Sequence, residues 1–218
     1  MVLKKNPVVN NCIKNSNMKN VIIFSIFGLV FLFSCNKEDN NQNVNQLTES
    51  EKQGLLFTRQ EEKLAYDVYR YAYQKYGSNI FNNISNSELT HQNTIDGLLD
   101  KYNLDNPVKN MAQGQFENDD LQLLYLQLIQ KVDISLTDAF EAGATIEDLD
   151  INDLMILTTE TNKTDLISVY EMLTCGSRNH IRGFTDQLSN LGKTYEPQFL
   201  DQTVYDTILK GSHESCRR

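Results

Sequence analysis

From residue 48 onward the apolar residues of this chain recur at steps of three and four, the period of a helix that buries one face. The first run opens on Thr48-Glu49-Ser50-Glu51, an S/T-x-x-E capping box, and ends at Gly77. Unbroken, its residues make a rod about 43 Å long. Its inner stripe reads Leu55, Thr58, Glu62, Ala65, Tyr69, Ala72 and Tyr76. A second run steps through Phe81, Ile84, Glu88, His91, Ile95, Leu98 and Tyr102, and stops before Asn103 to Pro107. The third, from about Leu136 to Leu157, carries Leu136, Ala139, Gly143, Glu147, Asp150, Leu154 and Leu157. The fourth, from Thr164 to about Leu191, carries Tyr170, Leu173, Ser177, His180, Phe184, Leu188 and Leu191. Between the second and third, a connection over 103–118 leads into a shorter apolar helix, Leu121 to Val132; after the fourth, Pro197 precedes an amphipathic tail, Tyr205 to Leu209. The pattern predicts an all-α protein of two helical hairpins joined by a longer crossover, with a short C-terminal helix.

Each of the four stripes holds polar residues where core residues belong. The spacings Glu62 to His91 (29) and Asp150 to His180 (30) nearly match, so each hairpin brings its polar residues to one depth. A carboxylate in an apolar stripe costs several kcal/mol, and several at one level also repel one another. Cations offset that cost. Glu62, Glu88, Glu147 and Asp150 carry four negative charges, which two divalent ions cancel, while His91 and His180 bind as neutral imidazoles. Glu88-x-x-His91 is the i, i+3 pair that puts a carboxylate and an imidazole on one helix face. Mixed nitrogen and oxygen donors favour iron or manganese over thiolate-bound zinc or an all-oxygen calcium site. Singly, each residue has an ordinary reading: Glu62 as part of a solvated charged stretch, Glu88 as an early-turn helix acid, the histidines as hydrogen-bonded core residues. The coincidence of four stripes is what points to metal.

Composition narrows the function classes. The first 35 residues hold four of the 20 bases and none of the 29 acids, which leaves 16 against 29 and a net charge of −13 for the remainder. A surface that acidic excludes nucleic-acid binding by phosphate neutralisation. Cys12, Cys35, Cys175 and Cys216 form no CxxC or Cys/His pairing, which excludes a zinc finger or a thioredoxin-like motif. Residues 18–35 run from a basic start through about a dozen apolar residues to Ser34-Cys35, the form of a signal peptide. The expected organisation is a signal region over 1–35 with Met18 as the true start, a polar tether over 36–47, a folded domain over 48–212 and a tail over 213–218. Cys175 and Cys216 either form a disulfide that pins the tail to the fourth helix or remain two buried thiols.

Leu32-Phe33-Ser34-Cys35 resembles the bacterial lipobox, which implies acylation of Cys35 and attachment to a membrane of the bacterial envelope. Lys37-Glu38-Asp39 looks like the signal that exports lipoproteins to the cell surface, so the outer membrane is the expected site, with display at the surface. The two-hairpin layout matches ferritin-like four-helix bundles. Within that superfamily the motifs resemble the family catalogued as domain of unknown function 2202, over about residues 50–210. Its Glu-Glu-Lys-Leu-Ala-x-Asp-Val-Tyr opening is matched at Glu61 to Tyr69, its Ser-Glu-x-x-His at Ser87 to His91. Its third-helix motif is matched at Ile146 to Leu154, and its fourth at Ser177 to Phe184. Glu62-x-x-Ala65-x-x-x-Tyr69 is also similar to the first ligand helix of rubrerythrin-like proteins, which selects Glu62 over Glu61. The fourth helix carries Ser177 where the superfamily places a second Glu-x-x-His glutamate; Asp150 on the third helix is the candidate replacement, and a single-metal site is the alternative.

The resemblance implies a ferritin-like fold and a metal centre. The four stripes predict two divalent metal ions, iron or manganese, with Glu62 and Asp150 as terminal ligands, Glu88 and Glu147 bridging, and His91 and His180 one on each metal. Tyr69 and Ser177 lie beside these ligands. The expected function is an envelope-anchored centre that reacts with oxygen, peroxide or Fe(II), as a ferroxidase- or peroxidase-like oxidoreductase. Its expected partners are the membrane through Cys35, an external electron donor and a second copy in a homodimer. The alternative is a non-catalytic surface lipoprotein whose bundle is held by a structural metal or a polar core network.

Overall fold

The computed structural model describes residues 46–216. The expected signal segment, Cys35 and most of the expected tether lie outside them. Among the described residues the chain is all-helical, with six helices and no strand: α1 (Glu49–Tyr76), α2 (Asn79–Lys101), α3 (Asp119–Val132), α4 (Leu136–Thr159), α5 (Thr164–Asn190) and α6 (Gln202–Lys210). None of them is long and apolar enough to cross a membrane.

Local chemistry sets the ends. Thr48 and Glu51 form the reciprocal capping box, with Thr48 N–H donating to Glu51 Oε2 at 2.8 Å. Gly77 stops α1 in the left-handed region, φ 64°, and its N–H reaches Tyr73 O. Helix α3 starts two residues before the apolar pattern does because Asn118 Oδ1 accepts from the N–H groups of Asp120 and Leu121. Helix α6 extends the predicted tail on both sides, capped by Asp201, which accepts from Thr203 N–H.

Two antiparallel pairs, α1 with α2 and α4 with α5, make the most extensive packing. They meet through α1 against α4 and α2 against α5, with α3 laid on α1 and α4. The apolar core falls into two clusters. One is centred on Tyr69, Phe81, Phe140 and Phe184, the other on Leu55, Ile95, Leu99, Leu154 and Leu173. Along α1, α2 and α5 the polar residues of the stripes lie between these clusters in sequence; on α4, Glu147 and Asp150 lie within the first cluster's run, between Ile146 and Ile151.

The connection and the tail are tied down by buried charges on the bundle helices. Lys63 donates to Asp67 Oδ2 (2.5 Å) and to Ala112 O (2.9 Å), and Gly114 N–H donates to the same Asp67 oxygen (2.8 Å). Asp148, fully buried on α4, accepts from Tyr195 Oη and from the N–H groups of Gln198, Phe199 and Leu200. Cys175 on α5 is disulfide-bonded to Cys216. Both residues are half-buried, so neither is one of a pair of buried thiols.

Candidate metal centre

Helical spacing turns Glu62 of α1, Glu88 and His91 of α2, Glu147 of α4 and His180 of α5 into one interior region. The first four are at most 5% exposed and His180 is 8% exposed. Their ligand atoms form two overlapping groups. Glu62, Glu88 and His91 make one; Glu88, Glu147 and His180 make the other; within each, the candidate atoms lie within 4.8 Å of one another. Glu88 belongs to both.

His91 Nδ1 is 2.8 Å from Glu88 Oε2 and 3.2 Å from Glu62 Oε2. His180 Nδ1 is 2.8 Å from Glu88 Oε1 and 3.5 Å from Glu147 Oε2. The two imidazoles are roughly parallel, with centroids 5.7 Å apart. Two donors about 2.1 Å from one ion and at right angles stand about 3.0 Å apart, the spacing these pairs show. Glu88 Oε1 and His180 Nδ1 are that close yet make no hydrogen bond of acceptable geometry, and Glu62 Oε1 also lacks a partner. Buried polar atoms left in this state need a counterpart.

Neighbouring residues fix the donors. His180 Nε2 lies 3.1 Å from Ser87 Oγ, which leaves Nδ1 to face the carboxylates. A Cβ at Gly176 would stand 2.6 Å from His91 Nε2, so the absence of a side chain there lets that ring lie against α5. Gln92 Nε2 donates to Glu62 O at 3.2 Å and holds α1 and α2 in step. Tyr69 Oη donates to Glu147 Oε1 at 2.5 Å.

Asp150 is in neither three-residue group. Its Oδ2 accepts from Ser177 Oγ at 2.5 Å, and Glu62, Glu147 and Glu88 all act on it electrostatically. It therefore sits beside the cluster on the side of Ser177. Of the six residues singled out as ligands, five come together in the two groups and the sixth flanks them. Glu147 reaches one group only, while Glu88 alone spans both.

Electrostatics report the crowding. Burial, followed by the charges of Glu62 and Glu147, drives the Asp150 carboxyl well above its ordinary range. Burial pushes Glu62 up to about 7 against the pull of His91. For Glu88, burial works upward, but the His180 and His91 rings outweigh it and hold the carboxylate well below the usual range. Burial would depress His180, yet Glu88 and Glu147 raise it to about 10.

Sequence reasoning passed over two acids, Glu61 and Asp153, which are also buried. The signal was present in Glu61-Glu62 and in the acidic run 147–153, but a one-face reading of α1 chose Glu62 over Glu61 and a one-face reading of α4 hid Asp153. That helix is buried on every side from Ala142 to Ile151.

Residues 51–212 match the model of a family described as an uncharacterized protein domain, DUF2202. The chain belongs to the DUF2202 family. A relative within reach is the uncharacterized protein MJ0754 of Methanocaldococcus jannaschii, 46% identical over 168 residues that span 77% of this chain and 91% of the relative. The crystal structure of that protein, described as hypothetical, matches with a TM-score of 0.76 over 77% of this chain and 96% of the other. The DUF2202 match covers all six helices but for the first two residues of α1.

Proposed function

We propose that this DUF2202 chain is a ferritin-like metal-binding protein with a centre for two divalent ions, iron or manganese. Glu62, Glu88 and His91 would hold one ion and Glu88, Glu147 and His180 the other, with Asp150 beside both. The observation that carries this reading is the sharing of Glu88 between two complete donor sets, one facing each of its oxygens. The donor chemistry fits: two imidazoles and a surplus of carboxylates suit iron or manganese, and the partnerless Glu62 Oε1, Glu88 Oε1 and His180 Nδ1 are the atoms an ion would satisfy.

When bound, such a pair of ions supplies Lewis acidity and one-electron chemistry toward oxygen, peroxide or Fe(II). The chain's own residues do the rest. Ser87 and Gly176 orient the two imidazoles, Tyr69 orients Glu147 and Ser177 orients Asp150. The apolar clusters on either side exclude water from the ligands. The same reading places the protein at the bacterial envelope on an acylated Cys35, with electrons supplied from outside the chain.

Elemental analysis and anaerobic Fe(II) loading test the proposal. The expected result is close to two metals per chain and an absorbance change on admitting oxygen. Fewer than one metal per chain and no such change would overturn it. The cluster would then be an ion-paired polar network that stabilises the bundle, a reading favoured by the close contacts of both imidazoles with carboxylates.

A further inference from the structure

One stretch of α5 carries two sets of contacts on opposite faces. On the inner face, Gly176 lies against the His91 ring, Ser177 donates to Asp150 at 2.5 Å and His180 Nδ1 stands 2.8 Å from Glu88 Oε1. Cys175, Arg178, Asn179 and Arg182 recur at helical spacing on the other face, and all four hold the C-terminal segment. Cys175 is bonded to Cys216. The Glu214 carboxylate accepts from Arg178 Nε at 2.9 Å and from Arg182 Nη2 at 2.6 Å. The Asn179 carboxamide pairs with the backbone of Glu214 in both directions, accepting from its N–H at 2.9 Å and donating to its carbonyl at 3.0 Å.

The segment is anchored at its other end as well. Arg182 Nε donates to Ile208 O at 2.8 Å, and Tyr205 and Ile208 of α6 are buried in the core. Tyr205 Oη donates to Tyr195 O, and Tyr195 Oη donates in turn to Asp148 of α4. A continuous series of bonds therefore runs from α4 through α6 and the tail to the outer face of α5, and it resists rolling of α5 about its axis. Gly176, Ser177 and His180 share one helix, so a roll would move all three together, taking His180 off Glu88 and shifting the surface on which His91 rests.

We propose that the Cys175–Cys216 disulfide is a redox control on the candidate metal centre. Oxidised, it braces the ligand-bearing stretch of α5 from outside; reduced by a dithiol, it leaves the tail to the half-exposed contacts of Glu214 and Asn179, and the centre holds its ions less tightly. The step balances: two electrons and two protons pass from the dithiol, which becomes a disulfide, to Cys175 and Cys216, which become thiols. The inference rests on the two-ion reading and adds its regulation.

Mn(II) titrated calorimetrically into the oxidised full chain and into its C175S/C216S variant tests it. The expected result is an equal number of ions and roughly 10-fold weaker binding by the variant, the scale on which lost support of metal ligands acts. Equal affinities overturn the control with the two-ion reading intact, whereas no ion bound by either form overturns both. The same comparison is made on the unsubstituted chain, reduced with dithiothreitol and moved to thiol-free anaerobic buffer, so it does not depend on the variant folding. Without metal, amide protection across residues 175–182 should fall several-fold on reduction; unchanged protection overturns the brace.

Discussion

The ring of Tyr69 packs against Phe81 and Phe184 at centroid distances of 6.4 and 5.2 Å, while its hydroxyl reaches Glu147. Phenylalanine would keep the ring and remove only the donor. A hydrogen bond to a charged group contributes about 1.5–3 kcal/mol. Tyr69→Phe should therefore destabilise the metal-free protein by about that amount, read as a lower urea midpoint at unchanged slope. Gly176 makes a different prediction. An added methyl would meet His91 Nε2 at 2.6 Å, so the ring must move off its carboxylates. Displaced ligand orientation costs roughly 10–100-fold in metal affinity. Gly176→Ala should weaken Mn(II) binding on that scale in calorimetric titration while helix content by circular dichroism stays the same or rises, since alanine favours helix over glycine.

Between elements, α4 meets α5 closely at Gly143, where a Cβ would fall 2.6 Å from the Phe184 ring. Overpacking of this kind costs about 1–3 kcal/mol. Gly143→Ala should lower the melting temperature by roughly 2–4 °C for each kcal/mol lost. The helices themselves were legible because burial on one face leaves a period that the eye can follow, as Leu55, Thr58, Glu62, Ala65 and Tyr69 do. Glu62, Glu88, His91, Glu147 and His180 stood out by breaking those stripes. Asp153 did not, because α4 is wrapped by α1, α3 and α5 and has no single inner face, and Glu61 did not, because its neighbour Glu62 falls on the α1 stripe. The role of Asp148 was hidden for another reason: its donors lie about 50 residues onward, in a segment without helical period. Starts of α3 and α6 were missed by two or three residues because Asn118 and Asp201 set them by side-chain capping rather than by apolar spacing.

Across the whole molecule, the C-terminal segment is fastened to α5 by covalent and ionic links together. The Cys175–Cys216 bond closes a separation of 41 residues. Such a link contributes about 2–4 kcal/mol, so a reductant should lower the melting temperature by several degrees in calorimetry. Glu214 accepts from Arg178 and Arg182, and these hydrogen bonds bring its carboxyl down to about 2. Because the folded value lies below the unfolded one, that fastening is fully present above about pH 4.5 and lost as pH falls toward 2. In reduced protein, the protection of the amides near Glu214, taken as the exchange rate relative to the intrinsic rate at each pH, should fall across that window; protection that does not change with pH would show that the arginines do not hold the segment. The two donor sets also differ in where they come from. Glu62, Glu88 and His91 all belong to the first hairpin, whereas the set of Glu147 and His180 must borrow Glu88 from across the bundle. An ion in the first position would ask only that α1 and α2 had zipped together. An ion in the second would be a clasp, and its arrival would report that the two halves of the molecule had closed on each other.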